Sequence, residues 1–489
     1  MSMNIGKRRY HIIDPNSTPS NGVISFGSSG NTNITFNIAQ DDNAFLDGKS
    51  VKVCFKLVVR DGTTNAEDSA GQVRLSLGTG AHGLFGQIDA FSYENNANIS
   101  SSRSYNRLCS TIIGNGMADQ NDVVYSQSHA GLGMSEDYMS SAVGIYSGTT
   151  PASADFQSYC IRPLVGSILG TKYYLGSTVA GGIGGVKLNL ILQPDSNALT
   201  NLASPTASEY IYELSEVKCL YSTIIGSPEE VSALRLKSDF SNKYSEFVRT
   251  NENRQASRDE IEQNFSRVSQ QQQGQPAVYK YRDFNSFLNT VQSDNHNISL
   301  NIGTKKTSSV FVNFVGSSDI NSTTLDDDGN VSMPILDTGG DEVPYKSVSF
   351  TKGSELYPAK FLQNTNADEN YTDETTQDYS NERSAVTKKY LLDSVVPYYE
   401  NEYQRGSVSN SLHQDQYAIG VNDSEVDGVF GIGSGQNSVV NGNADYMFQP
   451  LGVNINTENL GTFANTSAFI FSHYTGEVSV NNGVVAVSV

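Results

Sequence analysis

Alternating apolar and polar positions dominate both halves of this 489-residue chain, and this pattern predicts β-strands with one buried face. Within residues 33–38, for example, Ile34, Phe36 and Ile38 alternate with polar neighbours. The same alternation predicts further strands at 51–59, 73–77, 186–192, 217–223, 298–302, 309–314, 348–350, 417–421, 429–432, 446–455 and 469–489. The fold class is therefore expected to be all-β.

The two halves of the chain begin with similar pairs of strands. Asn297–Ile302 nearly copies Asn33–Ile38, and Ser309–Phe314 has the pattern of Ser50–Phe55. One match of six residues can arise by chance, but two matches in the same order indicate an internal duplication. The sequence therefore predicts two related β-sandwiches.

Residues 227–275 form the one long region without strand alternation. The region opens with Ser-Pro-Glu-Glu, which supplies an N-cap hydroxyl, a proline at the first helical position and a glutamate three residues after the cap. Leu236, Phe240 and Phe247 follow at helical spacing, and a second capping box begins at Ser257. We expect a pair of amphipathic helices here.

These patterns divide the chain into four parts. Long polar stretches at 114–158 and 324–341 predict surface loops, and 380–396 predicts a short helix that ends before a proline. The predicted parts are an N-terminal arm at 1–24, a first sandwich at 25–226, a helical linker at 227–275 and a second sandwich at 276–489.

The charge of the chain argues against one class of partner. Its formal net charge is -20, and proteins that wrap nucleic acid need clustered lysine and arginine to displace counterions from phosphates. The one compact basic run is Lys7, Arg8 and Arg9. It has two interpretations, a solvated terminal arm or an arm that touches an anionic surface.

The cysteines indicate a reducing compartment. Four are present, Cys54, Cys109, Cys160 and Cys219, and none forms a Cys-x-x-Cys pair. No secretion signal opens the sequence, and no window reaches the ~20 apolar residues of a membrane span. We expect four reduced thiols in a protein that folds in the cytoplasm.

No motif in the sequence carries catalytic or metal chemistry. The segment 326–330 departs from a calcium loop because glycine and glutamate are missing at the required positions, and the glycine run 181–185 leads into a strand, which indicates a flexible turn. We therefore predict no catalytic, cofactor-binding or metal-binding residues and no cofactor. The scattered histidines are expected in loops or at sandwich edges; they are His11, His82, His129, His296, His413 and His473.

The order of these elements resembles the double jelly-roll major capsid proteins of tailless icosahedral DNA viruses, of the type found in virophages, polinton-like viruses and their large DNA virus relatives. The resemblance covers roughly residues 23–489, although the tryptophans usual in that family are absent. The segments that carry it are 44–47, 83–93, 105–106, 212–223 leading into 227–230, 298–314, 353–358, 431–435 and 469–489.

The resemblance implies a fold, a function and partners. It implies two tandem eight-stranded jelly rolls with a helical linker and long loops, in a structural protein rather than an enzyme. It also implies a homotrimer that forms a pseudo-hexagonal capsomer of an icosahedral virion capsid and is synthesised in the host cytoplasm. The implied partners are neighbouring capsomers, penton and minor capsid proteins, and an inner membrane or genome contacted through Lys7, Arg8 and Arg9. No small-molecule substrate is expected.

An alternative function is a surface adhesin or carbohydrate-binding β-sandwich protein. Tyrosine-rich loops and an acidic chain agree with this hypothesis as well. The missing secretion signal and the paired halves without a binding cluster weigh against it. A trimer in solution would favour the capsid hypothesis, and a sugar-binding monomer would favour the adhesin.

Overall fold

The computed structural model describes most of the two predicted sandwiches. The described residues are 7–16, 22–26, 33–61, 73–75, 80–109, 157–169, 171–201, 210–225, 277–293, 295–316, 345–363, 429–433, 445–457, 466–481 and 483–489. The predicted helical linker 227–275, the helix 380–396, the strand 417–421 and the loop 324–341 therefore lie outside the described residues. So does the predicted loop 114–158, except for residues 157–158, which belong to a strand.

The first half of the chain contains twelve strands among its described residues. They are β1 Lys7–Ile13, β2 Val23–Ser25, β3 Asn33–Ile38, β4 Ala44–Asp61, β5 Val73–Leu75, β6 Phe85–Ser92, β7 Asn98–Arg103, β8 Gln157–Ile161, β9 Lys172–Tyr174, β10 Val186–Leu192, β11 Leu199–Asn201 and β12 Tyr210–Ile225. Short helices connect them: α1 Tyr105–Cys109, α2 Gly166–Leu169, α3 Asp195–Ala198, and 3-10 turns at Gly80–Leu84 and Thr178–Ala180. None of these described helices is long and apolar enough to cross a membrane.

The second half has nine strands in its described residues. They are β13 Ala277–Val291, β14 Asn295–Leu300, β15 Thr307–Gly316, β16 Tyr345–Lys352, β17 Glu355–Gln363, β18 Val429–Gly433, β19 Leu451–Thr457, β20 Thr466–Asn481 and β21 Val484–Ser488. β20 and β21 pair as an antiparallel hairpin, and residue 482 of the predicted Asn-Gly turn lies outside the described residues.

The strand order is the same in both halves. In the first half, one sheet runs β1-β12-β4-β8 and the other β3-β10-β6-β7. In the second half, the sheets run β13-β20-β15-β18 and β14-β19-β16-β17. If the eight main strands of each half are numbered along the chain, both halves give the orders 1-8-3-6 and 2-7-4-5, which define a jelly roll. The predicted double jelly-roll fold is confirmed.

The duplication seen in the sequence corresponds to this topology. β3 and β14 each form an edge of a four-stranded sheet, and each pairs with the seventh main strand of its half. β4 and β15 each lie between the last strand and the sixth main strand. The two short sequence matches therefore mark structurally equivalent strand pairs.

The apolar side chains that alternate along the strands fill the core of the first sandwich, as predicted. Val53 and Phe55 of β4 point inward from one sheet, and Leu188 and Leu190 of β10 point inward from the other. The ring of Phe55 meets the edge of Phe85 with 5.9 Å between ring centroids. The inward rows of both sheets belong to one buried apolar cluster, so their burial holds the sheets face to face.

The structure departs from the predicted elements in three places. Residues 7–13, expected in a free arm, form β1, whose seven residues pair one-to-one with β12 from Ile225 to Cys219. Residues 355–363 form β17 and residues 277–291 form β13, and neither strand was predicted. β1 is stable without a continuous apolar face because its backbone completes a sheet edge and its His11 ring stacks on Tyr221. The predicted domain boundaries stay a prediction, since residues 226–276 lie outside the described part.

Candidate functional site

The best-defined candidate site is the junction where the second jelly roll packs on the first. β13 and β20 pair along fifteen residues, but only part of this ribbon belongs to the second sandwich. β15 accompanies β20 up to Tyr474, and β21 takes over from Glu477 onward. The three-stranded end of this ribbon packs into the buried cluster of the first sandwich. This end of the ribbon therefore belongs to the core of the first sandwich, whereas the second sandwich has a separate buried cluster of its own.

Tyrosine hydroxyls hold this ribbon to the backbone of the first sandwich. Tyr279 Oη donates to the carbonyl oxygen of Gly181 at 2.9 Å, and Tyr281 Oη donates to that of Ile99 at 2.9 Å. In the other direction, Thr171 Oγ1 donates to the carbonyl oxygen of Lys280 at 3.1 Å. The two tyrosine bonds are buried and satisfy carbonyl groups that water cannot reach, and the Thr171 bond is partly buried. Together they fix the orientation of the ribbon as well as its position.

The glycine run 181–185 forms part of this junction. All five residues are buried, so the run is not the free, flexible turn that the sequence predicts. A β-carbon on Gly182 would overlap the backbone of Gly176, and Gly184 and Gly185 have φ angles of +69° and +90°. The glycines allow the close chain approach that places the Gly181 carbonyl beneath Tyr279.

The tyrosine side chains of the junction are uncharged, although the carboxyl group of Asp283 lies near them. Burial, and then the nearby Asp283, raise the pKa of Tyr281 and of Tyr474 above the usual range. Asp283 is only 1% exposed, and its Oδ1 accepts a hydrogen bond from the backbone N–H of Phe284. The hydroxyl of Tyr281 therefore stays protonated, as its bond to the Ile99 carbonyl requires.

We expect Tyr281→Phe to weaken the junction by about 1 kcal/mol, because the substitution leaves the buried Ile99 carbonyl without its donor. The aromatic ring, which fills space against Gly476, is kept. Urea unfolding of the two proteins measures the difference. Tyr93→Phe is the matched control, since Tyr93 is 44% exposed and lies outside the junction. Equal losses in both variants would contradict a role of the Tyr281 hydroxyl.

Two histidines are buried, contrary to the prediction that they lie in loops or at edges. His82 is 4% exposed, and its Nδ1 is hydrogen-bonded to Tyr105 Oη at 2.9 Å. His473 is fully buried in β20, where its Nδ1 is bonded to Ser308 Oγ at 2.7 Å and its ring stacks on Phe284. Burial lowers the pKa of each ring to about 3. His11 and His296 lie on edge strands, and His129 and His413 lie outside the described residues.

The remaining chemical candidates are not assembled into a site. Among the described residues, no three side chains of the types His, Cys, Asp and Glu come together in a way that could hold a metal ion. The acidic turn 326–330 lies outside the described residues. Arg8 forms an ion pair with Asp47, with Nη2 and Oδ2 2.6 Å apart. The basic run is therefore part of a sheet edge and is partly neutralised by its own chain.

A polar groove of about 430 Å³ lies on the outer side of the first four-stranded sheet. The Asn37 side-chain oxygen within it is buried and has no hydrogen-bond partner among the described residues. The groove is lined by Asn16, Thr35, Asn37, Tyr93, Asn96 and Lys187. Sequence reasoning missed it because its residues come from four separate segments.

Comparison with known proteins gives structural matches only. No sequence family model matches the chain, and no curated protein is detectably similar in sequence. The mavirus major capsid protein is 10% identical, with 98% of this chain and 90% of that chain covered and a TM-score of 0.45. The Faustovirus major capsid protein is 7% identical, with 97% of this chain and 91% of that chain covered and a TM-score of 0.48.

The PBCV-1 virus capsid structure covers 99% of this chain and 97% of that chain, with 10% identity and a TM-score of 0.47. These are similarities of low identity, and the fold rests on the strand order of the two halves, which defines two jelly rolls without them. The chain is similar over nearly its whole length to these capsid structures.

Proposed function

We propose that this protein is a structural subunit of a viral capsid and not an enzyme. In this proposal, three copies form a pseudo-hexagonal capsomer, and the capsomers tile an icosahedral shell. The observation that carries the proposal is the pair of jelly rolls with identical strand order, joined where a ribbon of the second packs into the core of the first. Jelly rolls are a recurrent architecture of capsid proteins.

The duplication gives a physical reason for such an assembly. Two similar but non-identical sandwiches in one chain supply two corners, so a threefold axis generates six corners from three copies. The packed junction supports this role because it attaches the second sandwich to the first through buried apolar side chains. The bonds from Tyr279 and Tyr281 to the first sandwich serve that purpose.

The proposed partners are neighbouring capsomers, penton and minor capsid proteins, in a virion whose subunits are made in the host cytoplasm. Contact of Lys7, Arg8 and Arg9 with an inner membrane or genome belongs to the same proposal. These residues lie in β1, so the contact would be made from a sheet edge. Deleting these residues would remove part of a strand. The contact is therefore tested with a substitution that changes the charge of the exposed Arg9.

We expect the purified protein to be a stable trimer, with more than ~2,000 Å² buried per contact, the scale of obligate interfaces. Light scattering coupled to size-exclusion chromatography measures the mass, and negative-stain images show whether the particles have six corners. A monodisperse monomer at micromolar concentration would refute the capsomer proposal.

The polar groove supports a second candidate, the carbohydrate-binding sandwich. Amide, hydroxyl and tyrosine side chains line its walls, and the unpartnered Asn37 oxygen could accept a bond from a sugar hydroxyl. This function needs no trimer. A monomer that binds glycans and loses that binding with Tyr93→Ala would favour it over the capsid.

A further inference from the structure

Two cysteines face each other on the outer surface of the sheet β1-β12-β4-β8 of the first sandwich. Cys54 of β4 and Cys160 of β8 are register partners in an antiparallel pair. Directly opposed residues in such a pair have Cα atoms about 4.5–5.5 Å apart, which lies inside the range of disulfide-bonded cysteines. Their neighbours Val53 and Tyr159 are buried, so both cysteines lie on the opposite, partly exposed face.

The two thiols are already in contact and are chemically unequal. Their sulfur atoms are 2.7 Å apart, with the Cys54 thiol donating to Cys160. This hydrogen bond, together with the charges of Lys52 and Arg162, lowers the pKa of Cys160 to about 7 despite partial burial. The pKa of Cys54 is raised, first by its hydrogen bond to Cys160 and then by burial. Cys160 is thus the attacking thiolate and Cys54 the second thiol.

We propose that Cys54 and Cys160 form a redox-active dithiol site that accepts a low-molecular-weight disulfide, such as oxidised glutathione, and closes to a cross-strand disulfide. The Cys160 thiolate attacks one sulfur of the glutathione disulfide, and one glutathione thiolate leaves. Cys54 then loses its proton to solvent and attacks the Cys160 sulfur of the mixed disulfide, and the second glutathione leaves. Two protein thiols are oxidised, and one glutathione disulfide is reduced to two thiols.

The disulfide would act on an edge of the sheet. β8 pairs with β4 through five residues and ends the path β1-β12-β4-β8. Cys54 and Cys160 are 106 positions apart, so the bond would close a long loop and limit opening of this edge. The inference is independent of the proposed capsid function, because it needs only the folded first sandwich.

The other two cysteines provide internal controls. Cys109 and Cys219 are fully buried, and burial raises the pKa of both thiols. Cys219 of β12 lies opposite Val53 and points into the core, on the other side of the sheet from Cys54. Neither should react while the protein is folded.

The test treats the full-length, reduced and folded protein with oxidised glutathione, followed by acid quench, alkylation of remaining thiols after denaturation, and peptide mass mapping. We expect the loss of two of the four thiols and a Cys54–Cys160 peptide link without retained glutathione. Cys54→Ser should stop at a single glutathione adduct on Cys160, and dithiothreitol should restore all four thiols in the wild type.

Three outcomes would overturn the proposal: four unchanged thiols, stable glutathione adducts on wild-type Cys54 and Cys160, or a link that includes Cys109 or Cys219. A second readout tests the effect on the edge strand and does not depend on any variant. Hydrogen exchange of amides 157–161 should be slower in the oxidised than in the reduced protein. Equal exchange rates would show that the bond does not tie β8 to the sheet.

Discussion

Replacing Gly48 with alanine should destabilise the first sandwich by about 3 kcal/mol, because the added methyl group meets backbone on the facing segment. Gly48 lies in β4, and a β-carbon there would overlap the carbonyl oxygen of Ile168 and lie 2.8 Å from that of Thr171. Backbone oxygens cannot rotate away as a side chain can. The backbone at Ile168 and Thr171 would have to shift, and with it the Thr171 bond to the Lys280 carbonyl.

Gly86→Ala is the matched control for this substitution. Gly86 lies in β6, and its added methyl group would meet only the end of the Gln193 side chain, at 2.9 Å. That side chain can move to another rotamer, so we expect a change below about 1 kcal/mol. Urea unfolding, followed by circular dichroism, compares the two variants with the wild type. Similar losses in both would show that the segment around Ile168 yields easily.

The strands that were predicted best are those with one face in a core and one face in solvent. β3 and β10 are examples, since their buried and partly exposed residues alternate without a break. Because the hydrophobic effect favours an apolar residue at each inward position, apolar residues repeat with a period of two along the sequence of such a strand. Fold class and duplication follow from such strands alone.

β13 shows why other strands were missed. Its buried positions alternate from Ala277 to Asp283, and then Asp283 and Phe284 are buried in succession. The strand leaves one sandwich and enters the other at this point, so the side that faces a core changes. A window across the change shows no simple period. The alternation of Tyr279 and Tyr281 with Lys280 and Arg282 was the available signal, and it covers only the half that packs on the first sandwich.

The junction and the cysteine pair could not be derived from the sequence, because they depend on register between distant segments. Tyr281 and Ile99 are 182 positions apart, and Cys54 and Cys160 are 106 positions apart. A shift of one residue in β8 would turn Cys160 to the inner face. The composition shows that tyrosines and thiols are present, but the register of the strands determines which of them are in contact.

Lowering the pH from 7 to 5 should reduce the free energy of unfolding by about 4 kcal/mol, half from each of two buried histidines. The folded-state pKa of His82 and of His473 is about 3, and an unfolded histidine has a pKa near 6.5. Between these values the unfolded chain binds more protons, so stability is fully present above about pH 6.5 and is lost as the pH falls towards 3. Desolvation is the main cause for both rings, and the charge of Arg282 adds to it for His473.

Denaturant unfolding at several pH values between 5 and 7 measures this dependence directly in the wild type. His82→Gln and His473→Gln should each reduce the pH dependence by about half, because each removes one ring that must stay neutral in the folded state. His296→Gln is the matched control, since His296 is only partly buried on the edge strand β14, and both buried rings remain. A wild-type stability that is constant from pH 7 to 5 would contradict the burial of neutral rings.

Because Tyr105 Oη joins His82 to the backbone N–H of Leu164 at 2.9 Å, protonation of this ring should first loosen the segment that leads into α2. Faster hydrogen exchange of the Leu164 amide at pH 5, relative to the central strand β10, would locate the effect at His82.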